Sequence, residues 1–348
     1  MSSKLKDFIS FLRACKTQKE EKEYMLKEKS RIQESFLKNK HELRPRNLVK
    51  LLFINLQGFD TEFGQIESLN IINRSSFLEK KIGYLTLSLF IHEKSEMLMM
   101  ATNRLGLDLD CPHLFIKALA LNCFASIADA DMCRSLSPKI VKLTQGEFPR
   151  PKVRNQFISR AFSLSRKTKR TEDFLRGKNA DDLRVLNVKK KAMLAALRIC
   201  QKCPELRSDY YKAIHLVLQE EEHGVVLSSL PLMKIIALGL IDNMANNEAS
   251  SDDVQFFKKM LKNISERVQN LVRENEAEYD IGKLNDPFLT VGIFGLMKDI
   301  VAKLVSMRSS SSGKNLEIYL GMNQYNIPQI FLNNDEDFYM INEILTAT

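Results

Sequence analysis

Lys81-Ile-Gly-Tyr-Leu-Thr-Leu-Ser88 is an apolar, small-residue-rich segment whose pattern returns as Lys117-Ala-Leu-Ala-Leu-Asn-Cys123, Lys190-Lys-Ala-Met-Leu-Ala-Ala-Leu197 and Gly224-Val-Val-Leu-Ser-Ser-Leu230. Each carries apolar residues at spacings of three and four, the period of one helix face. The first interval is 36 residues and the last 34, while the middle one is 73 and falls to 35 when a basic segment of 38 residues, 148–185, is set aside. Helical hairpins recurring every ~40 residues mark HEAT and armadillo solenoids, in which each hairpin buries its apolar face only against its neighbours. The expected fold class is therefore all-α, an α-solenoid of HEAT/armadillo-like hairpins. Such arrays present extended binding surfaces more often than catalytic sites.

Composition agrees. With 13 Gly and 9 Pro in 348 residues, 44% hydrophobic and 27% charged, the chain favours long helices and can bury a core without disulfides or metals. No uninterrupted run of 18 apolar residues occurs, and Met1 to Lys6 leads into charged helix, so neither a membrane span nor secretion is expected and the compartment reads as cytosol. Six cysteines (Cys15, Cys111, Cys123, Cys133, Cys200, Cys203) lie mostly in apolar runs, and the Cys200/Cys203 pair has no second pair or nearby His to complete a zinc set. No metal or cofactor is expected. The five histidines are dispersed, and no phosphate loop, dinucleotide fingerprint, nucleophile elbow, zinc-protease or kinase signature appears, so no enzyme is expected.

The net charge of +9 is local. Between Phe148 and Val185 eleven basic residues face four acidic ones, a net of +7, which leaves about +2 for the rest. That distribution excludes a diffuse polyanion-binding field. With Pro149, Pro151 and Gly177, segment 148–185 reads as a disordered basic insertion between trunk repeats 1–147 and 186–307. Ser309 to Gly313 then opens a divergent tail, 308–348, whose acidic run Asn333 to Asp337 lacks the ligand spacing of a calcium loop. One reading from another class, a helical-repeat RNA-binding protein using the insertion, predicts salt-sensitive RNA binding that deletion of 148–185 abolishes. Before the insertion, helices are expected over 46–57, 62–72 and 77–92. Near the first, Arg46 and Lys50 lie one turn apart on a face that Arg44 can join, an arrangement of cations suited to a phosphoinositide headgroup.

Several strings, in order, resemble the N-terminal trunk of the adaptins: Phe11-Leu-Arg-Ala-Cys-Lys-Thr-Gln-Lys-Glu-Glu21, Arg46-Asn-Leu-Val-Lys-Leu-Leu-Phe53, Phe63-Gly-Gln-Ile-Glu-Ser-Leu69, Lys80-Lys-Ile-Gly-Tyr-Leu85, His223-Gly-Val-Val-Leu-Ser-Ser229 and Asp286-Pro-Phe-Leu289. The wording is closest to the gamma-adaptins. The alpha-adaptins of the plasma-membrane adaptor are the nearest rival and fit less well at 223–229 and 286–289. The resemblance covers about residues 5–147 and 186–305. It implies a non-catalytic scaffold that pairs with a beta-type large, a mu-type medium and a sigma-type small subunit. It further implies recruitment by an Arf-family GTPase and a phosphoinositide membrane surface, indirect engagement of the clathrin coat, and capture of cargo sorting signals. The implied place is cytoplasmic, peripheral on trans-Golgi network and endosome membranes and clathrin-coated vesicles, with no nucleic acid as partner. Carried over position by position, Arg44, Arg46 and Lys50 match the phosphoinositide site, and Ile66 and Leu69 match apolar residues of the Arf-contacting helix, where spacing three would place both on one exposed face. Arg13 matches the arginine that helps hold the acidic residue before a dileucine signal, a task suited to a planar guanidinium fork. The pattern is lost after about Leu304, so functions the family places on its distal trunk, hinge and ear are not expected of this chain.

Overall fold

The structure, a computed structural model, describes residues 5–38, 41–93, 95–147, 180–220, 222–277, 287–308 and 320. The expected basic insertion and the Ser-rich tail lie essentially outside these residues. Every regular element among them is helical. In chain order they are α1 (Leu5–Ala14), α2 (Gln18–Leu37), α3 (Arg44–Leu56), α4 (Gly64–Ile72), α5 (Phe77–Phe90), α6 (Leu98–Asp110), α7 (Leu114–Ile127), α8 (Ala130–Thr144), α9 (Ala180–Lys202), α10 (Tyr211–Leu218), α11 (His223–Ala245), α12 (Ser251–Ala277) and α13 (Pro287–Arg308). Short 3₁₀ segments, His41–Leu43 and Pro204–Tyr210, lead into α3 and α10. Two compact units divide within α8, between Lys139 and Ile140.

In the first unit α3, α5 and α7 lie side by side, while α4 packs on α3 and α5 and α6 packs on α7. This is the hairpin stacking that the repeat predicts. The second unit repeats the scheme, with α9, α11 and α13 side by side and α10 and α12 against α11. The four recurring strings fall on α5, α7, α9 and α11, all of them helices of these side-by-side rows. The α4–α5 hairpin closes tightly because residue 83 is glycine: a Cβ there would lie 2.6 Å from Ile72 Cγ1 and 3.2 Å from the Ser68 carbonyl. Gly64 plays a similar part, since a Cβ would meet Leu51 and Phe90 at 2.7 Å. The core of the first unit gathers Phe8, Ile32, Phe36, Leu48, Leu51, Ile54, Ile71 and Phe90.

Among the described helices, α11 is long and apolar enough by length and composition to cross a membrane, although Ser228, Ser229, Lys234 and Asp242 interrupt its apolar run. Its apolar residues are spent on packing. Val225, Val226, Leu230, Met233, Ile236, Leu240 and Met244 are buried, and α9 and α13 flank it.

The α4–α5 and α6–α7 hairpins share an internal device. Lys80 Nζ donates to the Ile72 carbonyl at the end of α4 (2.9 Å), and Lys117 Nζ donates to the Leu109 carbonyl at the end of α6. A buried ammonium at a helix C-terminus satisfies orphan carbonyls and opposes the negative end of the helix dipole. Lys80 also pairs with Asp108 of α6 (2.7 and 3.0 Å), which accepts from the Tyr84 hydroxyl (2.6 Å) and from Arg104 (2.7 Å). Burial, then this hydrogen bond, pushes Tyr84 far above the usual tyrosine range. The sequence reading aligned Lys81 with Lys117; the residue equivalent to Lys117 is Lys80, 37 residues earlier.

Candidate partner and lipid contact sites

The α1–α2 hairpin opens the first unit. Thr17 caps α2, its Oγ1 accepting from the Glu20 amide (3.3 Å), while Glu20 Oε2 accepts from the Lys16 amide (3.0 Å), a variant of the capping box. Phe8 anchors α1 by stacking on Tyr24, with centroids 5.6 Å apart, and by meeting Phe53 edge-on at 5.8 Å. That anchoring leaves the other face of α1 to solvent. Arg13 is exposed in its last turn and Phe11 is 62% exposed. Arg13 makes no ion pair with a described residue.

The three cations assigned to lipid do not converge on one open face. The helix carrying them starts at Arg44 rather than Arg46, so Arg44 is itself helical and sits about 200° round the axis from Arg46 at ~100° per residue. Arg44 is buried against α4, its Nη1 3.4 Å from Glu67 Oε2. Lys50 does lie near Arg46 on the helical wheel, but it is 1% exposed and paired with Glu28 of α2. Arg46 alone of the three is exposed. A headgroup would reach such a buried cation only by breaking its pair, which would strand the acid.

Ile66 and Leu69 also separate. Leu69 is buried with Gly64, Ser68, Ile71 and Ile72 on the face of α4 that packs on α3 and α5, whereas Ile66 is 54% exposed. Three residues amount to 300°, which is enough to carry one side chain out of a narrow packed stripe. The sequence reading passed over Met99, Met100 and Leu107 of the adjoining α6, which are 77%, 59% and 63% exposed. Their signal was available as apolar residues standing where the helix period asks for polar ones.

The cysteines and histidines build no chemistry among the described residues. None of the six cysteines is in a disulfide, Cys200 and Cys203 are both buried, and no His/Cys/Asp/Glu group that could hold a metal occurs among the described residues. His215, half-buried on α10, shares a 2.9 Å hydrogen bond between its Nδ1 and the Asn263 amide of α12.

A family model described as the adaptin N terminal region matches residues 21–183. The chain is 32% identical over 299 residues to the gamma subunit of the AP-1 complex of Dictyostelium discoideum, covering 86% of this chain and 28% of that protein. The chain is gamma-adaptin-like. It is also 30% identical to the gamma-2 subunit of AP-1 from Arabidopsis thaliana over 85% of its own length, and 30% identical to the gamma-1 subunit of Schizosaccharomyces pombe over 99%. The matched region amounts to 28–33% of these three relatives, so this gamma-adaptin-like chain spans about a third of their length. In this gamma-adaptin-like chain the exposed candidates Arg13, Arg46 and Ile66 stand on α1, α3 and α4, while buried Arg44 ties α3 to α4, buried Lys50 ties α3 to α2, and buried Leu69 packs in the core.

Proposed function

We propose that the chain is a non-catalytic scaffold subunit of a clathrin adaptor complex in vesicle-mediated transport, acting on trans-Golgi network and endosome membranes. The observation that carries this reading is the similarity to AP-1 gamma subunits along nearly the whole chain, from Schizosaccharomyces pombe to Arabidopsis thaliana. Its partners are then a beta-type, a mu-type and a sigma-type subunit, an Arf-family GTPase, phosphoinositide and dileucine-type cargo. Arg13 takes the acidic residue of the sorting signal beside the exposed Phe11. Exposed Ile66 on α4, with exposed Met99, Met100 and Leu107 on the contacting α6, offers apolar residues to the GTPase. Arg46 is the lipid-facing cation of its trio, while Arg44 and Lys50 set the position of α3.

Co-expression of residues 1–348 with a sigma-type subunit tests the assembly, and a stable purified complex is the expected result. Failure of the soluble helical chain to retain any adaptor subunit overturns it. Within the complex, Arg13→Ala abolishes dileucine-peptide binding, and Arg46→Ala weakens binding to phosphatidylinositol 4-phosphate vesicles by about five-fold, the equivalent of ~1 kcal/mol per cation near an anionic surface. RNA binding that requires 148–185, with no adaptor subunit retained, supports the RNA reading instead.

A further inference from the structure

The second unit holds a cavity of about 320 Å³ between the 3₁₀ segment Pro204–Tyr210, the start of α10, the C-terminal half of α11 and the start of α12. Its lining includes Glu205, Arg207, Ser208, Tyr211, Gly239, Asn243 and Asp253. The size lies at the small end of ligand sites, which typically occupy ~300–1,000 Å³. Two of the polar groups here satisfy each other. The Tyr211 hydroxyl donates to Asp253 Oδ1 (2.7 Å), and Asp253 Oδ2 accepts from the Ser250 amide (3.1 Å). The Tyr211 ring stacks flat on Phe256, with centroids 3.9 Å apart and 5° between planes. Burial and the bond to Asp253 raise the tyrosine above its usual range, so its hydroxyl stays a neutral donor.

Arg207 is held differently. It is half-buried, and its Nε donates to the Cys200 carbonyl (3.3 Å) at the end of α9. Its guanidinium lies so close against α11 that a Cβ at Gly239 would collide with Nη1. The fork is thus held from two sides, and among the described residues no carboxylate pairs with it. A held guanidinium facing a cavity is the arrangement that takes a planar carboxylate in two places. The engaged Asp253 and the exposed Glu205 in the lining disfavour a ligand of several negative charges.

We propose that this cavity binds a single carboxylate, supplied either by a small organic acid or by an Asp or Glu side chain of a docked peptide segment, with Arg207 as the principal contact. The proposal is independent of the adaptor reading. Saturation-transfer NMR on the full chain compares three probes: Ac-Ala-Asp-Ala-NH2, its Asn counterpart, and acetate. Binding of the Asp peptide, loss of at least about ten-fold with Asn, and the same loss in Arg207→Gln are expected, since a charge-assisted hydrogen bond is worth about that factor or more. Arg207→Lys, which keeps the charge but not the fork, and Gly239→Ala, which pushes the guanidinium away, should each weaken binding as well. Acetate binding on a par with the peptide assigns the site to free acids; peptide binding alone assigns it to a docked segment. Equal binding of the Asp and Asn peptides overturns the proposal, as does unchanged binding by folded Arg207→Gln or Arg207→Lys. So does the absence of binding by either carboxylate up to about 10 mM, beyond which single-contact recognition has no meaning.

Discussion

Replacing Asp108 with alanine removes the acceptor on which three donors of the first unit converge. Lys80 Nζ lies 2.7 and 3.0 Å from its two oxygens, the Tyr84 hydroxyl 2.6 Å away and Arg104 2.7 Å away, and Lys80, Tyr84 and Asp108 are at most 4% exposed. In Asp108→Ala, Lys80 keeps the Ile72 carbonyl but loses its counter-charge, and Tyr84 is left buried without an acceptor. Removing one partner of a buried ion pair costs about 3–5 kcal/mol, most of it the stranded charge. For a unit of this size ~1 kcal/mol shifts the melting temperature by roughly 2–4 °C, so the first unit should melt roughly 6–20 °C lower. Circular dichroism at the helix band gives the melt, and limited proteolysis assigns the early transition to residues before Lys139. Lys80→Met combined with Asp108→Leu should recover much of the loss, because no buried charge then remains. A single Asp108→Ala variant that melts within 2 °C of the parent, on the scale of ~1 kcal/mol or less, refutes the claim that this cluster is desolvated and paired.

Gly83→Ala should destabilise by about 1–3 kcal/mol in urea titration, since the new methyl overlaps Ile72 and the Ser68 carbonyl in a packed hairpin. Thr17→Ala removes the cap of α2 and should cost about 1 kcal/mol, with Thr17→Asp nearly neutral in the same titration. With Ellman's reagent at neutral pH, half-buried Cys15 should react first, while Cys123, whose thiol burial pushes up to about 12, should react only on unfolding. Tyr84 is raised in the folded state, so its contribution is complete below the ordinary tyrosine pKa of about 10 and lost as pH rises above it. Lys117, lowered by burial, acts in the opposite sense, its desolvation cost fading as pH approaches the lysine range. Melting curves should therefore fall on the alkaline side less steeply in Tyr84→Phe than in the parent, and an identical fall removes the tyrosine from the explanation.

The helical rows were legible because burial in a hairpin stack imposes a period, and a period is visible in a sequence. The strings at 81, 117, 190 and 224 all landed on helices of the side-by-side rows. The state of individual charges was not legible. Lys50 is buried because Glu28, 22 residues earlier on a helix whose Lys/Glu composition reads as solvated, turns inward to meet it. Arg44 meets Glu67 across a similar distance in sequence. Pairs between helices leave no periodic trace, so a cation matching a lipid-binding position looked the same whether open, as Arg46 is, or internally neutralised. Leu69 and Ile66 make the same point for apolar residues, since spacing three is compatible with one face or with its edge.

The lysine device shows how one repeat can carry two different mechanical duties. Lys80 and Lys117 each reach back eight residues to a carbonyl at the end of the preceding helix, which closes their own hairpins. Lys80 also crosses to Asp108, 28 residues on and in the next hairpin, and so ties α4, α5 and α6 together. The position 28 residues beyond Lys117 is Gln145, which carries no charge. The ionic tie is therefore made at the α4–α5–α6 junction and not carried forward by Lys117, whose buried ammonium is instead held less firmly protonated. It follows that α4 and α6, which carry the exposed Ile66 and the exposed Met99, Met100 and Leu107, are joined by a charge cluster and not by apolar packing alone. Apolar residues left exposed contribute no burial to stability. The buried Lys80–Asp108 cluster supplies between these helices a tie that those residues do not.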